Sequence, residues 1–510
     1  MLYIAMATPL GPWIEPVLAI ALTGIMHLIS RNYRAHSSII TITSAAGIAG
    51  ISGVAVAFAY PTYRFLAYQN FNEWVQHTTS FIGTLTMLIC AAGAFAFLLA
   101  EWMEDYTLTE PFPFPVSKVV TEAITAFDTA KKGIYLLAGT CASLLAQLAY
   151  FIPRIPTSLT ISRHSLTSWL SFPAMTFHLD MSLLLMALGV ATGTLTALPL
   201  LVGTITKFFI VSPLYVLTHA HLTFSQFVMG WVAGMIGFSF VYHLIKNMRT
   251  SFDKNKVKSG IPTTLLATIK HKFKEPYTLL LLLPIFFFWY HQFSLVSIIY
   301  LIAATSISIY ILALIAARIG LAPLGRFATF VMVPGLVLFR FSALQITLVS
   351  TFVELAGGIL ADSLFGRKSA QLLNTKRSEV ITAQVLGLIT GAITLSITFW
   401  LLAKAQLIGL PPLIAQRSAM RALLVTVYTF EAGPILFGAL FAWILSFTRI
   451  NQVLTITAFL MPPQYILPLL IGSLVSRLPY NREEYYPFWA GIYSTSSFIL
   501  ALRSIMGITQ

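Results

Sequence analysis

Four ionisable residues lie inside long apolar runs of the sequence, where a charged side chain is costly and usually serves a function. Lys207 lies in GTITKFFIV, Arg340 in LVLFRFSAL, Glu354 in TFVELAGG and Glu431 in VYTFEAGPILFG. Such groups can hold a charged substrate, form a structural ion pair, or take up and release a proton. Glu431 is our main candidate for a proton carrier, because it lies about ten residues, or about 15 Å, into its run.

Two of these residues share one run, and their pairing depends on where the chain turns. If the run 327–361 turns near Ile346 and Thr347, Arg340 and Glu354 reach the same depth on antiparallel limbs. The sequence then leaves two alternatives open, an internal salt bridge and a contact with substrate.

A charged stretch between two apolar runs is GILADSLFGRKSAQLLNTKRSEVITAQVLG, residues 358–387. Asp362 closes one apolar run, and four basic residues follow before the next run begins at Val380. Basic residues between two spans are typical of a cytoplasmic connection. We therefore interpret them as an inner anchor. Asp362 and Lys368 are additional candidates for gating or binding a charged substrate at the inner mouth.

Composition identifies the surroundings of these residues. Of 510 residues, 57% are hydrophobic and only 9% are charged, whereas soluble proteins carry roughly 25% charged residues. Apolar runs near 20 residues long recur from end to end, without the period-two alternation of barrel strands. Because lipid admits only helices and closed barrels, the sequence predicts an all-α, polytopic transmembrane helix bundle in the cell membrane.

The runs predict about 15 spans (13–16), beginning outside with a retained span near 13–30. Two regions, 181–217 and 327–361, are each about 36 residues long, too long for one crossing of a roughly 30 Å core. Pro and Gly interrupt both regions. Interrupted helices in corresponding places point to a transporter's binding site, so we expect the two regions to line one cavity. PFPFP at 111–115 predicts a further surface or re-entrant helix.

The formal charge of +14 has a topological explanation. Eight of the 31 basic residues lie in one connection, residues 246–275. We interpret it as a basic cytoplasmic loop that joins two halves of a single membrane domain, 1–510. Nucleic-acid binding is not expected.

One pattern also carries a family resemblance. Asp362, Lys368, Gln384 and Gly387 fall, without a gap, on D-L-x-x-D-L/F-K-T-G-Y followed by P-R-x-x-x-x-x-Q-x-x-G, although Ala370 replaces the usual Gly. TEPFPFPVSKVVTEAI and LMPPQYILPLLIGSLVSRL resemble further segments in the same order. The chain thereby resembles the oligopeptide transporter superfamily, which includes the yellow-stripe-like metal-chelate carriers. The resemblance implies a secondary carrier of short peptides or peptide-like metal chelates.

Two classes of function remain from the sequence. The absence of a Walker motif favours a secondary carrier driven by protons. The alternative is a membrane-embedded enzyme acting on lipid-linked substrates, but its dense acidic or Ser/His/Asp set is not apparent, so we expect no enzyme and no cofactor. His219 and His221 are two apart, which on a helix separates them, so no metal site is predicted. A homodimer is left open.

Overall fold

The computed structural model describes residues 1–7, 14–29, 36–109, 112–149, 158–161, 177–180, 182–193, 197–218, 223–253, 276–427, 431–448, 450–460, 463–477 and 482–505. The helices before residue 254 are α1 (Leu2–Ala7), α2 (Glu15–Ile29), α3 (His36–Ala59), α4 (Thr62–Leu66), α5 (Tyr68–Gln76), α6 (Thr78–Thr109), α7 (Pro115–Thr125), α8 (Ala130–Ala149), α9 (Leu183–Thr192), α10 (Ala197–Thr206), α11 (Ser212–Thr218) and α12 (Phe224–Asp253).

The remaining helices are α13 (Leu282–Tyr290), α14 (Leu295–Ile319), α15 (Leu324–Phe339), α16 (Ala343–Leu372), α17 (Arg377–Lys404), α18 (Gln416–Val427), α19 (Ala432–Ser446), α20 (Gln452–Leu460), α21 (Pro463–Val475) and α22 (Arg482–Ile505). Short 3₁₀ turns cover Ala126–Asp128 and Pro276–Leu281, and a π-helical turn covers Lys207–Val211. Two short strands, β1 (Ser158–Ile161) and β2 (Phe177–Asp180), pair antiparallel.

The prediction of a helical membrane protein is confirmed at this level. Among the described residues, six helical segments are long and apolar enough to cross a membrane: His36–Leu66, Thr78–Leu108, Ala197–Thr218, Leu295–Ile319, Ala343–Leu372 and Arg377–Lys404. Shorter apolar helices accompany them. The figure of about 15 spans stays a prediction.

Helix α16 lies at the centre of the bundle and packs against α3, α6, α14 and α15. Small residues allow this density, because helix backbones in a membrane approach most closely where side chains are small. On the neighbouring pair α3–α17, for example, a Cβ on Gly387 would overlap the backbone of Ala45. Glycine is therefore required at that crossing.

The predicted interruptions are only partly correct. The region 181–217 is divided at Gly193, which adopts a φ of +74°. The region 327–361 is likewise interrupted, by a turn at Arg340–Ser342 between α15 and α16, as two limbs require. The turn expected near Ile346 was therefore wrong, because Ser342 and Gln345 form a capping box that starts α16 earlier.

Two long apolar segments of the sequence, 421–446 and 450–476, are each built from two helices. In 421–446, α18 ends at Val427 and α19 begins at Ala432, after extended backbone at Glu431. In 450–476, α20 ends at Leu460 and α21 begins at Pro463. Pro462 and Pro463 lack the N–H groups that a continuous helix needs, which accounts for the second division.

Two connections predicted from the sequence have different outcomes. Helix α7, which follows PFPFP, is buried against α2, α16 and α22, so it packs within the bundle and is not an exposed surface helix. The basic segment 246–275 begins as the last two turns of α12, through Asp253. Its remainder, 254–275, lies outside the described residues.

Candidate functional site

A stripe of small and acidic residues runs along α16 and faces α3. Glu354, Gly358, Asp362 and Gly366 follow at four-residue spacing, which places them on one side of a helix. Gly358 lies against Ile51, and Gly366 lies against Ser44. The stripe therefore carries two carboxyl groups into the interface between the two central helices, about 12 Å apart by helical rise.

Asp362 meets a second carboxyl group, that of Glu15 in the first turn of α2. The two residues are only 1% and 6% exposed. Both face Gly47 of α3. A Cβ at that position would lie 2.6 Å from Asp362 Oδ2 and 2.7 Å from Glu15 Oε1. The absence of a side chain on Gly47 thus makes the space that the two carboxyl groups occupy.

The carboxyl pair lines a small pocket with a volume of about 10 Å³. Hydroxyl groups of Thr43, Ser44 and Ser369 contribute polar lining, while Val116 and Val120 of α7 supply apolar walls. Gly47 is at the middle of α3, about 17 Å from either end by helical rise. The pocket therefore lies deep within the bundle.

Gln384, which the sequence pattern singled out, borders this site. Its amide nitrogen donates to Ser44 Oγ at 2.9 Å and to the Ser363 carbonyl at 3.1 Å. Since Ser44 lines the pocket, the structure brings Gln384 and Asp362 together through α3. Gln384 thereby connects α17 to α3 and to α16, the helix that carries Asp362.

Glu354 has a different environment, because it forms an ion pair with Arg421 of α18. Arg421 also donates to the Phe58 carbonyl at 2.9 Å, at the end of α3. The guanidinium carbon of Arg417, one turn earlier, stacks 4.0 Å from the centre of the Phe58 ring. Glu354 is therefore neutralised by a cation that also fastens α18 to α3.

The basic stretch that follows Asp362 pairs with acidic residues on α6. Arg367 binds Glu101 at 2.9 Å and also contacts Glu104. Arg377, at the start of α17, binds Glu104 at 2.7 Å and also contacts Glu101. Four side chains from three helices thus form one ion cluster at this end of the bundle.

Lys368 belongs to the same end and does not reach Asp362. Its ammonium group donates to the Leu108 carbonyl at 3.2 Å and to Gln371 Oε1 at 2.9 Å. Asp362 and Lys368 are six positions apart, so their side chains point to different faces of α16. The two residues therefore do not form a joint gate in this conformation.

Arg340 and Glu431 are not where the sequence analysis placed them. Arg340 is exposed in the turn between α15 and α16, with a φ of +52°, while Glu354 lies buried three turns into α16. Their predicted salt bridge was wrong because the turn comes earlier. Glu431 precedes α19 on extended backbone and is partly exposed. It is therefore not buried within a continuous span.

Lys207 lies where two segments pack together, α9–α10 and α20–α21, each of which is divided into two short helices. Helix α9 packs on α21 and α10 packs on α20, so the two segments lie side by side in reversed order. At the first contact, a Cβ on Gly189 would overlap the Leu469 carbonyl and one on Gly472 would overlap the Met186 carbonyl. The backbones are thus in direct contact.

Buried Lys207 sits at the second of these contacts. Its Nζ donates to the Phe459 carbonyl at 2.9 Å. Phe459 is in the last turn of α20, where exposed carbonyl groups and the helix dipole favour a cation. The ammonium group is therefore placed at the end of a half-length helix inside the bundle.

Sequence reasoning missed Glu15 and Arg421. The signal for Glu15 was present, since it is a carboxylate within WIEPVLAIAL, at the start of an apolar run. Arg421 lies in the QRSAMRALL segment, whose charge resembles a helix end at the membrane surface. Within the described ranges no group of three or more His, Cys, Asp or Glu side chains could hold a metal ion.

These features define an α-helical membrane protein with ionisable groups buried between its central helices. Comparison with protein-family models and with curated proteins gives no match.

Proposed function

We propose that the protein is a secondary active transporter, and the divided segments α9–α10 and α20–α21 carry the proposal. Helices that end inside a membrane leave carbonyl and N–H groups free to bind a ligand at that depth. Here two such segments contact each other along both halves, and Lys207 places a positive charge beside them. This arrangement suits a binding site that opens first to one side of the membrane and then to the other.

We propose short peptides or peptide-like metal chelates as the substrate class. Both carry carboxylate groups, for which the Lys207 ammonium is a suitable partner if it exchanges the Phe459 carbonyl for the substrate. The resemblance in the segment 358–387 supports the same class, and protons are the proposed coupling ion. The protein would then act in the cell membrane without a resident cofactor.

The test is uptake by purified protein in proteoliposomes. Labelled di- to pentapeptides and iron chelates are supplied with and without an imposed proton gradient. We expect at least one substrate to accumulate above its outside concentration only when the gradient is present. Uptake of none of these compounds, with folded protein in the membrane, contradicts the proposal.

Lys207→Met tests the proposed site within the same assay. We expect the variant to fold and to lose substrate uptake, because the thioether keeps the length of the side chain but not its charge. Lys404→Met is the matched control, since Lys404 lies over the Trp400 ring at the far end of α17. Equal loss in both variants would show that the effect is not specific to the divided helices.

A further inference from the structure

The carboxyl groups of Glu15 and Asp362 share one space beside Gly47, since an oxygen of each lies within 2.7 Å of the same Cβ position. None of their four oxygens accepts a hydrogen bond from a donor in the part of the chain that the structure describes. Two buried carboxyl groups this close avoid mutual repulsion if one of them carries a proton, which can then be donated to the other. The geometry therefore suits one proton shared between two acids.

Among the described residues, no cation forms an ion pair or a hydrogen bond with either carboxyl group. On the surrounding helices, α7 presents Val116 and Val120, α3 presents hydroxyl groups, and α17 presents the neutral amide of Gln384. Tyr493 of α22 is the other titratable group that acts on Glu15, and it is a neutral phenol. Two ionised carboxylates side by side in this apolar setting would repel each other strongly.

The charged residues of the same helices engage partners elsewhere. Arg367 of α16 is bound in the cluster with Glu101 and Glu104. His36, at the start of α3, contacts Asp128 at 3.1 Å.

On α7 and α22, the charged groups likewise have other contacts. Lys118 lies over the Tyr486 ring, and Glu122 pairs with Lys132. Arg503, near the end of α22, donates to the Gln147 carbonyl. The described charges near the pair are thus directed away from it.

We propose that Glu15 and Asp362 form a shared proton-binding site, and that this pair is the coupling site of the transporter. The coupling role rests on the proposed function, whereas proton binding does not. The pair lies in a pocket at the middle of α3, two turns along α16 from Glu354. Loss of its proton would force the two carboxylates apart and so change the α2–α3–α16 contact. That movement is how the proton would act on the substrate path.

Infrared difference spectroscopy between acidic and alkaline samples tests the proton site without any substrate. Wild-type protein should show the C=O band of a protonated carboxyl group at neutral pH. Glu15→Gln and Asp362→Asn should each remove this band, because the new amide donates a hydrogen bond to the remaining carboxylate. Glu379→Gln, at an exposed carboxyl group, is the matched control and should leave the band unchanged.

Several results would overturn the proton site. One is the absence of the C=O band from wild type at neutral pH. A second is a band that remains in Glu15→Gln and in Asp362→Asn. A third is a band that sodium or calcium removes and alkali does not. The last result would make the pair a metal-cation site. If a single variant fails to fold, Glu15→Gln/Asp362→Asn removes both charges together and is compared with wild type in the same way.

Transport then separates coupling from proton binding. Asp362→Asn should lose accumulation against a gradient but keep exchange of labelled substrate at equal concentrations, because exchange needs no net proton movement. A variant that still concentrates substrate shows that the pair does not couple transport. If the spectra are as expected but wild type moves no substrate, the proton site stands and the transporter proposal fails.

Discussion

Glu354 and Asp362 lie two turns apart on one side of α16, yet only Glu354 has a cation as its partner. Arg421 neutralises Glu354, whereas Asp362 meets the carboxyl group of Glu15. The same helix face therefore carries one acid that is held in a structural ion pair and one that can gain or lose a proton. This difference decides which acid we assign to coupling.

Gly47→Ala should disturb the carboxyl pair directly, because its Cβ would lie within 2.7 Å of an oxygen of each carboxyl group. Overpacking of this kind costs about 1–3 kcal/mol of stability. Thermal unfolding in detergent measures the loss. Gly24→Ala on α2 is the control, because no atom lies within 4 Å of its new Cβ. Equal stability of the two variants would mean that the pair is not packed against Gly47.

A double-mutant cycle tests the ion pair of Glu354 and Arg421. Arg421→Met should cost about 3–5 kcal/mol, because it leaves an unpaired charge buried. Adding Glu354→Gln to that variant should restore most of the loss, since no charge then remains. The remaining deficit should be about 1 kcal/mol, from the hydrogen bond to the Phe58 carbonyl. Additive losses in the double variant would show that the two side chains do not interact.

The ion cluster gives a graded prediction. The Arg367 side chain is 1% exposed and the Arg377 side chain is 49% exposed, although both bind Glu101 and Glu104. Arg367→Ala should therefore cost about 3 kcal/mol or more, and Arg377→Ala about 1 kcal/mol or less. Chemical denaturation of both variants measures the difference. A larger loss for Arg377→Ala would contradict the burial-based ranking.

The contact between α9 and α21 depends on glycine at both crossing positions. Gly189→Leu or Gly472→Leu should separate the two helices, and we expect loss of uptake together with a lower unfolding temperature. Gly237→Leu on α12 is the control, because nothing lies within 4 Å of its Cβ position. Full uptake by either crossing variant would show that this contact is dispensable for transport.

The sequence predicted the helical membrane class well, because apolar runs of membrane length follow from lipid thickness alone. It also singled out Asp362 and Gln384, which the structure brings together around α3. It could not find the partner of Asp362, because Glu15 is more than 300 residues away and only packing brings them together. The predicted positions of Arg340 and Glu431 were wrong for a local reason. A short break in a helix changes how deep a residue lies in the bundle, but it does not change the composition of the apolar run.

The interpretation of the basic stretch 358–387 as an inner anchor stays a prediction. Charge between two apolar runs indicates a connection at the membrane surface, and Arg367 and Arg377 do lie at one end of the bundle. Composition alone cannot reveal that Glu101 and Glu104 extend from α6 to bind them. Nor can composition show that the Lys368 side chain points away from Asp362. That direction follows from the two residues lying on one continuous helix, six positions apart.

Proton entry during substrate uptake tests the central claim most directly. Proteoliposomes that contain wild-type protein and a trapped pH indicator receive substrate from outside, with no other ion gradient. We expect the interior to acidify as substrate enters, and Asp362→Asn proteoliposomes to show no acidification. Substrate entry by wild type without any change in internal pH would contradict proton-coupled transport by this protein.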